Sequence, residues 1–210
     1  MSDEKAMAYA QQAMDLSKKI NYEKGIAGAD FNIGSYYDNM SEYDRAKEHF
    51  ESSLILFEKL GMKRETSKTN SSIGNVYLST GKYEKGLQHF LKALKIAESI
   101  HDKKGVANSY IGLGNVYLYM SDNDKGLDYY FKALSIQEEI NDQRGASASI
   151  ANIAIVYTNQ GNFEKAIEYH LKSMKIDESL GYQIGVAQTL TNIGVVYYEQ
   201  KDFKKSLEYF

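Results

Sequence analysis

Apolar residues along this chain recur at the spacing of an α-helix. One run separates its apolar positions by four, three and three residues, which places them on a single helix face. Its members are Phe50, Leu54, Phe57 and Leu60. Similar runs follow one another along the sequence, with polar and charged residues between them. The pattern predicts a succession of amphipathic helices.

The apolar pattern also repeats with a period of 40 residues, as from Tyr37 to Tyr77. Tyrosine occupies the same place in every unit: Tyr37, Tyr77, Tyr117, Tyr157 and Tyr197. A small residue lies three positions earlier in each: Gly34, Gly74, Gly114, Ala154 and Gly194. Columns that align without insertion indicate an internal repeat. The small residues predict a place where two helices approach each other closely.

Each repeat is predicted to contain two helices. The first helices span 22–40, 62–80, 102–120, 142–160 and 182–200. The second helices span 42–60, 82–100, 122–140 and 162–180, while 2–20 matches the second helix of a preceding repeat and 202–210 begins another. We therefore expect a single array over 1–210, with repeats 22–60, 62–100, 102–140 and 142–180 and a partial repeat 182–210. We interpret this array as a fragment of a longer protein.

Two sets of short breaks separate the helices. The set that ends the second helices is Asn21, Gly61, His101, Asn141 and Gly181. Gly and Asn tolerate the left-handed conformation that closes a helix, so we expect that conformation here. The set before the second helices is Ser41, Gly81, Ser121, Gly161 and Lys201, and it predicts a turn.

Composition narrows the class of protein. The chain has no proline and no cysteine among 210 residues, which suits long helices and excludes disulfides and thiolate metal sites. A net charge of -3 argues against a nucleic-acid-binding protein, whose surface should be basic. The sequence contains no apolar run long enough to insert into a membrane and no signal peptide, so we take a cytoplasmic location as the default.

The repeat columns resemble the tetratricopeptide repeat (TPR). One unit reproduces its pattern with Tyr110, Leu113, Gly114, Tyr117, Gly126 and Tyr130. The resemblance implies an all-α fold, an open right-handed superhelical solenoid of antiparallel helical hairpins. The 40-residue period and the glutamates in place of the usual proline resemble the arrays of kinesin light chains and spindle-orientation adaptors. The amino-acid sequence of the repeat is also similar to those of TPR regions in bacterial signalling proteins.

By this resemblance, the first helices should line a concave, peptide-binding face. The asparagines beside the Ile-Gly pair are expected on that face: Asn32, Asn75, Asn115, Asn152 and Asn192. Each amide can donate to and accept from an extended peptide backbone. An alternative of equal weight is that these amides bond adjacent repeats or water.

Other residues are expected to extend this face. Apolar and aromatic contacts would come from Leu78, Leu118, Tyr119 and Tyr198, and the edge would be lined by Lys68, Asn108 and Gln188. Carboxylate-clamp arrays need basic residues deep in the groove. The matching positions here are Phe31, Ser71, Ile111, Ala151 and Thr191, so we do not expect that mode.

No sequence motif points to catalysis, a metal or a cofactor. The four histidines lack metal-ligand spacing and are expected to be solvated or to lie between helices. Gly112 and Gly114 lie inside a predicted helix, so they do not form a dinucleotide-binding loop. We therefore predict a protein that is not an enzyme.

The function that best fits these observations is a protein- or peptide-binding scaffold, by resemblance the sensory or regulatory region of a bacterial signalling protein. The alternative is a ligand- or peptide-responsive receptor array that switches an attached output domain. We also expect that the uncapped C-terminal helix at 202–210 pairs with a second copy or frays.

Overall fold

The computed structural model describes residues 3–210, and within them every regular element is an α-helix. The helices are α1 Asp3–Lys19, α2 Glu23–Asn39, α3 Tyr43–Lys59, α4 Lys63–Ser79, α5 Tyr83–Ser99, α6 Lys103–Tyr119, α7 Asn123–Glu139, α8 Gln143–Asn159, α9 Phe163–Ser179, α10 Gln183–Glu199 and α11 Phe203–Tyr209. Each of these bounds lies within one residue of the predicted one. The predicted all-α class of repeated helical hairpins is confirmed.

The chain divides into two compact units, Met1–Gly112 and Leu113–Phe210, and the division falls inside α6. In the first unit α2 pairs with α3 and α4 pairs with α5. In the second unit α8 pairs with α9 and α10 packs on both α9 and α11. That residues 1–210 behave as one array stays a prediction. No helix within residues 3–210 has the length and apolar character needed to cross a bilayer.

The turns between helices share one hydrogen-bonding scheme. After α2, the Ser41 N–H donates to the Asp38 carbonyl over 2.9 Å and the Glu42 N–H donates to the Tyr37 carbonyl over 2.8 Å. This is the Schellman arrangement, in which one residue adopts a positive φ and the last carbonyls of the helix gain partners. Positive φ values occur at Asn21, Ser41, Gly61, Gly81, His101, Ser121, Asn141, Gly161, Gly181 and Lys201. The left-handed prediction is confirmed for the first set of breaks, and it extends to the second set.

The small-residue column lies against an aromatic ring of the partner helix. A Cβ atom built on Gly34 would lie 2.8 Å from the Phe50 ring, and one built on Gly114 would lie 2.6 Å from the Tyr130 ring. Gly74 and Gly194 stand in the same relation to Phe90 and Phe210, at 3.0 Å. A methyl group at these distances would push the two helices apart. The predicted close approach is therefore confirmed, and its cause is a buried ring on the second helix.

One repeat departs from this pairing on both sides of the contact. Ala154 replaces the glycine, and His170 replaces the larger ring. Both residues are buried, with exposed fractions of 0% for Ala154 and 1% for His170. The smaller imidazole leaves room for the alanine methyl group. The His170 Nδ1 atom has no hydrogen-bond partner within the described chain, so this core position carries an unsatisfied polar atom.

The tyrosine column is held between a ring and a cation. Tyr37 stacks on His49 with ring centroids 5.6 Å apart, and the Arg45 guanidinium lies 5.1 Å from the Tyr37 centroid. Tyr157 lies in the same way between Tyr169 and Lys165. Aromatic pairs and cation–π contacts stabilise a half-buried tyrosine from both sides.

Two of the histidines, His49 and His89, lie between helices, as expected. His49 Nδ1 lies 2.9 Å from Asp30 Oδ1, and His89 Nδ1 lies 3.0 Å from Asn70 Oδ1. Each bond joins the two helices of its own hairpin, α2 to α3 for His49 and α4 to α5 for His89. Their position explains these histidines without a metal.

Alanine substitutions at Gly114, which faces a ring, and at Gly126, which does not, should have opposite effects on stability. Gly114→Ala should destabilise the protein by about 1–3 kcal/mol because the new methyl group overlaps the Tyr130 ring. Gly126→Ala should stabilise it by about 0.5–1 kcal/mol, since its Cβ would lie 3.5 Å from the nearest atom and helix propensity improves. Urea unfolding of both variants measures the difference. Equal effects of the two substitutions would show that the ring contact does not set the helix spacing.

Stability should depend on pH through His170. Burial lowers the pKa of His170 from 6.5 to about 4, so the unfolded chain takes up a proton at a pH where the folded protein does not. Stability is therefore lost as the pH falls from about 6.5 to about 4, by up to about 3 kcal/mol.

A double variant isolates this effect. His170→Phe with Ala154→Gly restores the pairing seen in the other repeats, and it should remove this part of the pH dependence. His170→Phe alone should be less stable than the double variant, because the phenyl ring meets the Ala154 methyl group. Unfolding measured at pH 7 and pH 4.5 compares all three proteins. Identical pH dependence in the wild type and the double variant would contradict the assignment.

Candidate functional site

The predicted asparagines occupy two different positions of the repeat. Asn32, Asn152 and Asn192 share one position, while Asn75 and Asn115 lie three residues further along their helices. Asn32 and Asn75 are exposed, and the other three are half-buried. The chain therefore offers two partial sets of amides in place of one row.

Asn115 takes part in a contact within the hairpin. Its Oδ1 atom accepts a hydrogen bond of 2.6 Å from the Tyr130 hydroxyl, and Tyr130 is fully buried. Burial raises the pKa of Tyr130, with a smaller effect from Tyr119, so the hydroxyl stays protonated and donates. This amide oxygen is used within its own repeat, whereas the alternative interpretation placed such bonds between adjacent repeats or with water.

A basic depression lies between α4 and α6 in the first unit. Its volume is about 490 Å³, and its lining includes Arg64, Lys68, Lys104, Asn108 and Asp102. Two of the predicted edge residues, Lys68 and Asn108, are therefore brought together. The three cationic side chains face one carboxylate.

Contacts inside this depression orient its charges. Arg64 Nε donates to Asp102 Oδ2 over 3.0 Å, which fixes the positions of both side chains. The Lys68 ammonium lies 4.4 Å from the centroid of the Phe31 ring. A cation held over a ring keeps its charge and its N–H donors accessible to a bound anion. Phe31, at a position where a carboxylate clamp would need a base, thus supports a base from the next repeat.

Asn32 lies in a separate depression of the first unit. That depression has a volume of about 400 Å³ and is lined by residues of α1 and α2, among them Tyr9, Ser35 and Asn39. Tyr9 is 61% exposed, so it adds an accessible ring beside the amide. Asn32 and Lys68 line different depressions.

The predicted apolar residues are spread over the surface. Leu118 lines a depression of about 560 Å³ with Thr158, Asn159 and Val195 in the second unit. Tyr198 is 56% exposed and lies edge-on to Phe203, with ring centroids 5.5 Å apart. The remaining two are Tyr119, which is exposed, and Leu78, which is half-buried.

A smaller polar cavity lies among α8, α9 and α10 in the second unit. Its volume is about 200 Å³, and it includes Asn192 together with Arg144, Asp177, Gln188 and Thr189. Gln188 was expected at the edge of the binding face and lies here. The cavity combines one cation, one carboxylate and several neutral hydrogen-bonding groups.

Apart from Lys68, the charged residues of both cavities were missed by sequence reasoning. The column that opens the first helices holds Lys24, Arg64, Lys104, Arg144 and Ile184, and this basic preference is visible in the sequence. Asp177 is the charged member of a column that is otherwise Ser17, Phe57, Ala97 and Gln137. A search for departures within columns could have found it. Among residues 3–210, no group of three or more His, Cys, Asp or Glu side chains is placed to hold a metal ion.

Comparison with known proteins identifies the repeat. The tetratricopeptide repeat family model matches residues 65–139 and 146–210, and a second model of the same description matches 31–55. No curated protein matches the chain in sequence.

Several solved structures share the fold. BtubC (BKLC) from P. vanneervenii has a TM-score of 0.79 at 17% identity, over 100% of this chain and 88% of that one. A Rap protein complexed with competence and sporulation factor has a TM-score of 0.85 at 19% identity, over 97% of this chain and 57% of that one. A signal-transduction ATPase with a tetratricopeptide repeat sensor from Pyrococcus horikoshii has a TM-score of 0.72 at 22% identity, over 95% of this chain and 31% of that one. The chain thus spans little more than half of the Rap protein and a third of the ATPase.

Two asparagine variants test the division of roles. Asn115→Ala should destabilise the protein by about 1–3 kcal/mol because it leaves the buried Tyr130 hydroxyl without an acceptor. Asn75→Ala, at the same repeat position but exposed, should change stability by less than about 0.5 kcal/mol. Thermal unfolding measures both. Tyr130→Phe in the Asn115→Ala background should recover part of the loss, and a failure to do so would contradict the hydrogen bond's role.

Proposed function

We propose that this chain, which belongs to the tetratricopeptide repeat family, is a non-catalytic scaffold that binds an extended peptide through the exposed surface of its first helices. The observation that carries the proposal is the basic depression between α4 and α6. It combines donors for a peptide carboxylate with an amide for the peptide backbone.

The charges of the depression favour an acidic peptide segment. Arg64, Lys68 and Lys104 outnumber Asp102, whereas the whole chain has a net charge of -3. A local excess of positive charge on an acidic protein attracts an anionic partner and repels a cationic one. Asn108 can donate to and accept from the backbone of the same segment.

A regulatory role agrees with the similar structures. One of them is a Rap protein in complex with competence and sporulation factor, and another is a signal-transduction ATPase described as having a TPR sensor. We propose that this chain acts likewise as the sensory or regulatory region of a bacterial signalling protein. The second candidate, a receptor array that switches an output domain, uses the same peptide-binding surface and follows if peptide binding changes the conformation of the chain.

Selection from a phage-displayed library of random dodecapeptides tests the binding proposal. The wild-type chain should enrich peptides rich in Asp and Glu, and their affinity should fall as salt is raised. Lys68→Glu should weaken these peptides at least about tenfold, since it reverses a charge at the binding site. Fluorescence anisotropy with a selected peptide measures the affinities.

Lys95→Glu is the matched control, because Lys95 is an exposed lysine of the second helix α5 that lies outside the depression. It makes the same change in net charge and should leave affinity within about twofold. The proposal fails if no peptide is enriched, or if both variants weaken binding equally.

A further inference from the structure

Asp177 places a carboxylate in the interior of the second unit without a protein partner. The residue is 5% exposed, and its side chain makes no hydrogen bond or ion pair with the residues that the structure describes. Its equivalents in the other repeats are uncharged. Gln137, one repeat earlier, lies 2.7 Å from the Ser149 hydroxyl and is satisfied by it. The carboxylate lies against Gly185 in the first turn of α10, where the helix dipole favours a negative charge, and it lines a cavity.

Thr189 shows the same lack of a partner. It is the equivalent of Ser149, it is 3% exposed, and its hydroxyl makes no hydrogen bond with any residue in the described range 3–210. Both Asp177 and Thr189 line the cavity of about 200 Å³ among α8, α9 and α10. Gly185 leaves space for the carboxylate there, because a Cβ at Gly185 would overlap Asp177 Oδ2. The carboxylate and the hydroxyl, neither of them bonded to another side chain of the described residues, therefore share one cavity.

The cation of this cavity is held away from Asp177. The Arg144 guanidinium lies 4.3 Å from the centroid of the Tyr182 ring, and Arg144 makes no ion pair with residues 3–210. The corresponding arginine of the first unit, Arg64, is instead paired with Asp102, and position 182 holds a tyrosine where position 102 holds that aspartate. The cavity thus keeps a carboxylate available for a ligand.

We propose that this cavity binds a cationic nitrogen of a peptide, either a lysine side chain or an amino terminus. Asp177 is its ion-pair partner, and the Thr189 hydroxyl accepts a second N–H. Charge-assisted bonds of this kind are the strong ones in a buried site. The cavity volume is below the roughly 300–1,000 Å³ of drug-sized pockets, which suits one side chain or chain end. The inference rests on the proposed function only in taking the ligand to be a peptide.

Amide NMR spectra of the whole chain test the site with three small probes. Nα-acetyl-lysine methylamide carries a cationic side chain, glycine methylamide carries a free amino end, and Nα-acetyl-norleucine methylamide is neutral. At least one cationic probe should shift the Gly185 and Thr189 resonances and bind at least tenfold more tightly than the neutral probe. The tighter cationic probe identifies the source of the nitrogen. Equal binding of all three, or none up to about 20 mM, would overturn the proposal.

Two carboxylate variants provide the second measurement. Asp177→Asn should abolish the cation preference, and it should leave the midpoint temperature without ligand within about 2 °C, since the carboxylate has no side-chain partner to lose. Glu178→Gln removes the exposed carboxylate of the next residue and should change neither property. Unchanged cation binding in Asp177→Asn, or a midpoint temperature lowered by more than about 2 °C, would show that the carboxylate serves the fold and would overturn the proposal.

The outcome of this experiment is independent of the outcome of the peptide selection. The selection depends on Lys68 in the first unit, whereas the NMR titration depends on Asp177 in the second. A chain that enriches acidic peptides but does not distinguish lysine from norleucine overturns the cation site alone. If the chain binds the lysine probe but enriches no peptide, the peptide-binding proposal is wrong and the cation site is supported.

Discussion

The contact between a glycine backbone and an aromatic ring is the constraint on which four of the described helical hairpins depend. Gly34, Gly74, Gly114 and Gly194 all face a ring on the second helix. Because the ring occupies the space of a missing side chain, the two helices have one separation and one relative rotation. That geometry decides which residues of the first helix are buried in the hairpin and which are left on the surface. The surface residues, including Arg64 and Lys68, can then vary without changing the fold.

Much of the fold was predictable because the same pattern of tyrosine, small and turn-forming residues recurs five times in one chain. The tyrosine column, the small-residue column and the breaks at Asn21 and its equivalents gave helix bounds close to those observed. The break at Ser121 was predicted only as a turn, since serine rarely adopts a positive φ and no neighbouring residue indicates that conformation. It adopts φ 62° because the Schellman hydrogen bonds of the repeat require it.

The site was less predictable, because its properties depend on neighbouring side chains that are not adjacent in sequence. Asn75 and Asn115 occupy the same repeat position, yet one is exposed and the other accepts a bond from Tyr130. The difference arises from the residue at the ring column, where Phe90 has no hydroxyl and Tyr130 has one. Lys68 and Asn108 line one depression, but the other cations that give it its charge, Arg64 and Lys104, were not anticipated. Which asparagines, if any, bind a peptide stays a prediction.

A repeat protein also makes its irregularities interpretable, because every buried position has equivalents for comparison. Some departures are balanced within the chain: the smaller ring of His170 is matched by Ala154, and the extra hydroxyl of Tyr130 is matched by Asn115. Asp177 is a departure that no other side chain matches with a hydrogen bond or an ion pair, and it lines the same cavity as Thr189. A purely structural role would favour an uncharged residue, as at Gln137, since burying an unpaired charge lowers stability. The carboxylate faces the first turn of α10 and the cavity, and a cationic group entering that cavity would meet it directly.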